Sequence, residues 1–191
     1  YRAFIKSIWG VESDAYKALG TANTDWQNEI YRTAVSHDHN VTIAGSLKDL
    51  PYRISVGYTD QQGILKTSDF KRVTAALNLN PSFFNNHLNL NLNAKGMYAK
   101  TVYADEEAIG AAFRMDPTQD PYSFTSSYHK TLLGSNLTQT LSNFGGYFEW
   151  PQAGSYGDSS WPYTYNNLAT KNPLAILNER SESAHSRSFI G

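Results

Sequence analysis

The stretch HLNLNLNAKGMYAK, residues 87 to 100, alternates between leucine and asparagine before it becomes mixed. Successive side chains of a β-strand point to opposite faces, so Leu88, Leu90 and Leu92 share one face and the asparagines share the other. The pattern predicts an amphipathic strand. It leaves open whether the leucines face a protein interior or lipid, because soluble antiparallel sheets and membrane barrels both show this alternation.

The composition of the chain excludes several classes of protein. Its 191 residues are 40% hydrophobic and 17% charged, which suits a folded chain rather than a disordered one. The net charge is −1 and the basic residues are scattered along the sequence, which gives no electrostatic reason to expect nucleic acid or anionic lipid headgroups as partners. The absence of cysteine excludes disulfides and thiolate chemistry. Because the first residue is Tyr1 rather than methionine, we expect a segment of a longer protein.

The same two-residue period recurs before residue 87. It predicts further strands near residues 41–47, 52–58 and 72–80, joined by turns. Together with the first stretch they give four antiparallel strands within residues 35–103, in an up-and-down meander. Residues 181–191 are expected to begin another strand. The predicted fold class is therefore mainly β.

Two regions around these strands carry helical and loop signals instead. Residues 1–34 are expected to form a loop with a short helix, and residues 104–180 a long loop with short helices. Within the second, the first turn of ADEEAIGAAFRM is acidic and Ile109, Ala112 and Phe113 recur on one side. Further on, Asn172 before a proline predicts the start of a helix.

The apolar faces of the strands need a cover. At about 1.5 to 3 kcal/mol for each aliphatic side chain, leaving them in water would cost more than a domain's net stability. Helices, a second sheet or lipid could provide the cover. Tight turns that alternate with long connections are typical of a transmembrane β-barrel, which favours lipid. The residues predicted to face lipid are Leu88, Leu90, Leu92, Val73, Leu77, Ile54 and Val56.

Four motifs give a resemblance to a known family. They are NTDWQNEIYRTA at 23–34, HNVTIAG at 39–45, GYTDQQGILKTSDFKR at 57–72 and NPLAIL at 172–177. In these the chain resembles the SusC/RagA-type TonB-dependent outer-membrane transporters of Bacteroidetes. The resemblance implies a barrel of about 22 strands with an N-terminal plug. It also implies import of a glycan, or sometimes a peptide, without a cofactor.

The resemblance implies further partners and an orientation. A SusD-like surface lipoprotein would act as a lid, and TonB would supply energy through an N-terminal part that lies outside these residues. Residues 1–34 and 104–180 would be extracellular and the tight turns periplasmic. An aromatic set in the second loop is predicted to contact substrate or the lid protein, although packing within the loop would also explain it. This set comprises Tyr147, Trp150, Tyr156, Trp161, Tyr163 and Tyr165.

Two other functions are compatible with the residues alone. In a soluble carbohydrate-binding β module the helices near Phe4–Trp9 and Ile109–Phe113 would cover the sheet, and Trp150 and Trp161 would hold the sugar. In a glycoside hydrolase fragment Glu149 and Asp158 would be the carboxylates. Neither His37-Asp38-His39 nor Asp105-Glu106-Glu107 has the ligand spacing of a metal site. We therefore expect no metal, no catalytic residue and no enzyme.

Overall fold

The chain divides into two compact units in the computed structural model, which describes residues 1–48, 50–85, 87–154 and 162–191. The helical unit consists of Tyr1–Arg32 and Asp105–Arg180. The sheet unit consists of Thr33–Ala104 and Ser181–Gly191. The elements, in chain order, are α1 Arg2–Trp9, α2 Asp14–Lys17, α3 Trp26–Ile30, β1 Ser36–Leu47, β2 Leu50–Gln62, β3 Asp69–Leu79, β4 Ser82–Phe83, β5 Leu88–Asn89, β6 Leu92–Tyr103, α4 Glu107–Arg114, α5 Ser127–Leu133, a 3-10 turn Gly134–Asn136, α6 Leu137–Asn143, β7 Pro151–Ala153, β8 Tyr163–Tyr165, α7 Pro173–Glu179 and β9 Glu182–Ile190.

The sheet unit is a five-stranded antiparallel sheet in the order β1-β2-β3-β6-β9. This up-and-down order confirms the predicted fold class, and the strand expected after residue 181 is β9. One row across the sheet runs from Val41 to Val56, Ala75, Gly96 and Phe189. Side chains in this row and in every second row lie on what we call the apolar face. The intervening rows form the polar face.

The stretch at residues 87–100 differs from the continuous strand that its alternation predicts. Leu88 in β5 pairs with Phe83 in β4, whereas Leu92 in β6 pairs with Leu79 in β3. Between them the Leu90 N–H donates to the Pro81 carbonyl at 3.0 Å. Pro81 has no N–H to return that bond, so the regular ladder breaks there. The pairing offset is the same on both sides of the break, so the leucines keep a common face.

The helical unit holds most of the buried apolar side chains. In the described part of the sheet unit only Leu65 and Ala99 are buried hydrophobic residues. The core of the helical unit is formed by Leu19, Trp26, Ile30, Ala108, Ala111, Ala112, Met115, Phe124, Leu133, Phe144, Phe148, Leu174, Ala175 and Leu177. The sheet therefore has no such core of its own among the residues described.

Hydrogen bonds join the two segments of the helical unit, which are far apart in sequence. The Gln119 side chain is fully buried and donates to the Ala18 carbonyl at 3.0 Å. Thr118 accepts from the Gly20 N–H on its hydroxyl at 2.9 Å. The Trp26 indole donates to the Asp116 carbonyl at 2.9 Å. Residues 1–32 and 105–180 therefore form one compact unit, whereas the sequence pattern predicts two separate loops.

Some helices differ from expectation. In α4 the alanines Ala108, Ala111 and Ala112 are buried, so Ala112 is the one buried member of the predicted side, whereas Ile109 is 43% and Phe113 80% exposed. The reason is that small side chains let α4 approach its neighbours closely, which the larger ones would prevent. Helices α5 and α6 lie where the sequence suggests irregular structure. None of the described helices is both long and apolar enough to cross a membrane.

Candidate functional site

The first candidate site is the apolar face of the sheet. All seven residues predicted to face lipid lie on strands or turns of the sheet unit, and their side chains are 37% to 52% exposed. Val41 and Ile43, on the same face of the edge strand β1, are more exposed still, at 64% and 59%. An aliphatic surface of this size is unusual for a protein in water. It is suited to contact with another apolar surface.

The polar face carries a different chemistry. Near the tight turns, Arg53 and the asparagines Asn78, Asn80, Asn91 and Asn93 line a groove of about 420 Å³. The Asn93 amide donates to Asn91 at 2.7 Å within this groove. Further along the face the hydroxyls of Thr42 and Ser55 are 2.9 Å apart. This face is suited to water or to polar protein groups.

The second candidate site is an aromatic cluster in the helical unit, made of Phe124, His129, Phe148 and Trp150. Ring centres in the cluster are 5.2 to 5.7 Å apart in edge-to-face geometry. Ser126 caps α5, accepting from the His129 N–H, and its hydroxyl lies 2.7 Å from His129 Nδ1. Burial lowers the pKa of His129 to about 4, so the ring is neutral at physiological pH.

The predicted aromatic set is divided between different surroundings. Trp150 is half-buried in the cluster. Tyr147 packs against Tyr122, with ring centres 5.7 Å apart, and its hydroxyl accepts from Asn178 at 3.0 Å. These contacts hold both rings in place. They leave the prediction of substrate or lid contact untested for both.

Two further members of the set, Tyr163 and Tyr165, lie on β8 in the β7–β8 pair. The Tyr163 hydroxyl donates to the Leu132 carbonyl at 2.6 Å. Tyr165 is 44% exposed, with the Lys171 ammonium 5.5 Å from its ring centre. The Asn166 N–H donates to the Trp150 carbonyl at 2.7 Å, which places Trp150 beside this strand pair. Tyr156 and Trp161 lie outside the described residues.

Glu149 and Asn172 form a buried polar connection next to the cluster. The Asn172 amide donates to the carbonyls of Pro121 at 2.8 Å and Phe148 at 3.1 Å, and its Oδ1 accepts from the Leu174 N–H. The Asn172 N–H in turn donates to Glu149 Oε1 at 3.0 Å. Burial raises the pKa of Glu149 to about 7, although this hydrogen bond opposes the shift. Asp158, the suggested second carboxylate of a hydrolase, lies outside the described residues.

The acidic and histidine motifs have structural contacts. Asp38 accepts from the Thr59 hydroxyl at 2.6 Å on the polar face, whereas His37 and His39 lie on the apolar face with ring centres 6.0 Å apart. The three side chains therefore cannot surround one ion. Asp105 caps the Glu107 N–H at 3.0 Å and pairs with Arg180 at 2.9 Å.

Sequence reasoning missed three of the residues that organise the helical unit. Gln119 and Thr118 lie in a segment without periodicity, so nothing in the sequence predicts their long-range contacts. His129 could have been found, because a serine three residues before it is a helix N-cap signal. Asn172 was predicted as a cap, but its two further bonds depend on the tertiary structure.

Comparison with known proteins gives the family. No family model matches the chain. The TonB-dependent receptor SusC of Bacteroides thetaiotaomicron is 46% identical over the whole chain, which spans 18% of that receptor. The TonB-dependent receptors P3 and P26 of Formosa agariphila are 27% and 26% identical over 62% and 63% of the chain, which spans 13% and 12% of them.

These similarities agree with the antiparallel meander and with the motifs. TonB-dependent receptors are transport proteins of the outer membrane and not enzymes. The chain covers less than a fifth of the length of each of these relatives. The sequence identity extends over both the sheet unit and the helical unit. The chain therefore belongs to the SusC-type TonB-dependent receptors of the bacterial outer membrane.

Proposed function

We propose that the chain forms part of the barrel and the extracellular region of an importer for a glycan. The observation that carries this proposal is the exposed apolar face of a meander that buries only Leu65 and Ala99 among its described hydrophobic residues. A barrel wall needs no core on that side, because lipid covers it. Residues 35–103 and 181–191 belong to the wall, and residues 1–34 and 104–180 to extracellular loops.

The lengths of the connections support this orientation. Strands β1 and β2 are joined by two residues, and the β3–β6 hairpin continues into the β4–β5 pair, whose two strands are four residues apart in the sequence. At the other ends of the strands the connections are residues 63–68 and the much longer 104–181. Outer-membrane barrels have short periplasmic turns and longer extracellular loops. The polar face would then point to the lumen and its plug.

The helical unit supports a binding role at the extracellular side. Trp150, Tyr163 and Tyr165 come together at the β7–β8 pair, where an exposed tyrosine ring offers a flat apolar surface. Aromatic rings suit the C–H faces of sugars, and rigid rings lose little entropy on binding. A SusD-like lipoprotein would close over this region, and TonB would power release into the periplasm.

The proposal can be tested with the full-length receptor in its own bacterium. A strain in which the receptor gene is deleted is compared with the same strain producing the receptor or a variant of it. We expect growth on one class of glycan as sole carbon source to require the receptor, and we expect the purified receptor to bind that glycan. Tyr165→Ala should weaken glycan binding several-fold. Phe113→Ala, which removes an 80% exposed ring from α4, serves as the matched control.

Three results would contradict the proposal at different levels. Growth that is independent of the receptor on all glycans would refute glycan import. Binding of peptides but not of glycans would identify the alternative cargo. Full extraction of the receptor by aqueous buffer, without detergent, would favour the soluble carbohydrate-binding module.

A further inference from the structure

The apolar face ends in cationic and histidine side chains on the side of the long connections. Lys71 pairs with Lys100, and Lys100 pairs with His185, so the three lie side by side on β3, β6 and β9. The next row towards the turns contains Tyr98 opposite Arg187. These residues are far apart in the sequence. The register brings them together.

Two of these cations lack a counter-charge. Lys71 pairs with Asp60 at 3.2 Å, and the Tyr58 hydroxyl also donates to Asp60 at 3.0 Å. Within the described ranges, neither Lys100 nor Arg187 has an acidic partner. Like charges on neighbouring strands destabilise a sheet, so an uncompensated pair of cations needs an explanation.

Tyr98 contacts one of the two cations and the neighbouring histidine. The Arg187 guanidinium lies 5.6 Å from the centre of the Tyr98 ring. The Tyr98 hydroxyl lies 2.8 Å from His185 Nδ1. Lys100 and Arg187 are diagonal neighbours on adjacent strands, about 7 to 8 Å apart at the backbone, which is within reach of one anion for side chains of this length.

The position on the sheet indicates the kind of anion. Aliphatic rows would contact acyl chains, Tyr98 and Arg187 would lie at the boundary, and Lys100 and His185 would follow at the level of the headgroups. Arginine and lysine are suited to phosphate, the first by its planar fork and the second as a point charge. Basic pockets at this level of a membrane bind anionic headgroups.

We propose that Tyr98, Lys100, His185 and Arg187 form a site for the phosphate group of an anionic outer-leaflet lipid of the lipid A type. The inference rests on the orientation given under the proposed function. It assigns a specific lipid headgroup to this end of the apolar face, whereas the aliphatic rows require only contact with acyl chains. The ligand would neutralise the two cations that the chain itself leaves uncompensated.

The test uses the full-length receptor purified in detergent and native mass spectrometry to count bound lipid. The probes are lipid A with its phosphates, enzymatically dephosphorylated lipid A and inorganic phosphate. Lys100→Gln and Arg187→Gln should each lower retention of phosphorylated lipid A roughly fivefold, and the double variant more than tenfold. Lys95→Gln, on the polar face of the same strand β6, is the control and should retain it fully.

Further outcomes of the same measurements support or overturn the phosphate site. Dephosphorylated lipid A should bind equally and weakly to the parent and the double variant. Unchanged retention in the double variant, or an equal loss with Lys95→Gln, would overturn the proposal. Displacement of the lipid by inorganic phosphate at the same concentration would also overturn it, assigning the cations to free phosphate. Lipid retention does not depend on cargo, so failure of glycan import would leave this result intact.

Discussion

Arginine substitution on the two faces of β2 should separate lipid contact from lumen contact. Ile54 lies midway between Leu50 and Tyr58, pairs with Ile43 and Leu77, and is 44% exposed. Arginine at mid-depth on the lipid side of a barrel costs about 2 to 4 kcal/mol. We therefore expect Ile54→Arg to destabilise the full-length receptor by that amount, a shift of at least tenfold in the unfolding equilibrium.

Its neighbour Ser55 provides the matched control on the polar face. Ser55→Arg loses one hydroxyl contact with Thr42, worth about 0.5 to 1.5 kcal/mol, and places the charge in the lumen. Tyr58→Arg, at the end of the apolar face beside Asp60, should cost less than Ile54→Arg, at about 0 to 1 kcal/mol. The dependence on depth distinguishes lipid from a protein cover.

The assay is guanidinium unfolding of the full-length receptor in phospholipid vesicles, followed by tryptophan fluorescence. The three variants share the same introduced side chain, so differences report the surroundings. Equal free-energy costs for Ile54→Arg and Ser55→Arg would refute the assignment of the faces. Equal costs for Ile54→Arg and Tyr58→Arg would refute lipid as the cover.

Three further predictions concern the helical unit, each measured by denaturation or limited proteolysis of the full-length receptor. Asn172→Ala removes a helix cap and leaves two buried carbonyls without their donor, so we expect the free energy of unfolding to fall by about 3 kcal/mol or more. Asn178→Ala, which removes one exposed hydrogen bond, is the control and should lower it by less than about 1 kcal/mol. Because the pKa of Glu149 is raised to about 7, the stability that the protonated side chain contributes is complete below pH 4.5 and is lost as the pH rises through about 7. Glu149→Gln should therefore be as stable as the parent at pH 4 and more stable by about 2 kcal/mol at pH 8, after allowance for partial exposure. A difference in stability that does not change with pH would contradict this. A Cβ on Gly20 would lie 2.1 Å from the Thr118 carbonyl oxygen, so Gly20→Ala should destabilise by more than about 1 kcal/mol, whereas Gly110→Ala, which meets only ordinary contacts in α4, should stabilise by about 0.5 to 1 kcal/mol.

The sheet was more predictable than the helical unit, and the reason is physical. A period of two depends on neighbours in sequence, so the strands around Val41, Ile54 and Val73 could be located from the pattern alone. A proline favours a strand end because it cannot donate to a ladder, but nothing in the sequence indicates the short β4–β5 pair beyond Pro81. The alternation does not identify what covers the apolar face, and lipid as the cover stays a prediction that the connection lengths and the family favour.

The helical unit depends on contacts between distant residues. Nothing near Gln119 in the sequence indicates that its amide reaches Ala18, and α5 and α6 are stabilised by tertiary packing more than by their own propensity. Composition predicts the aromatic set as a group, but it does not distinguish a half-buried ring packed against other rings, such as Trp150, from an exposed one, such as Tyr165. Whether the set contacts substrate stays a prediction.

The bond between Gln119 and Ala18 also has a kinetic consequence. Its ends are 101 positions apart, and the intervening chain contains the strands from β1 to β6. Closing so long a loop in an unfolded chain costs entropy that grows with its length, but pairing those strands first shortens the effective loop. We therefore expect the hairpins to form before the helical unit, so that folding of the helical unit marks the completion of the meander.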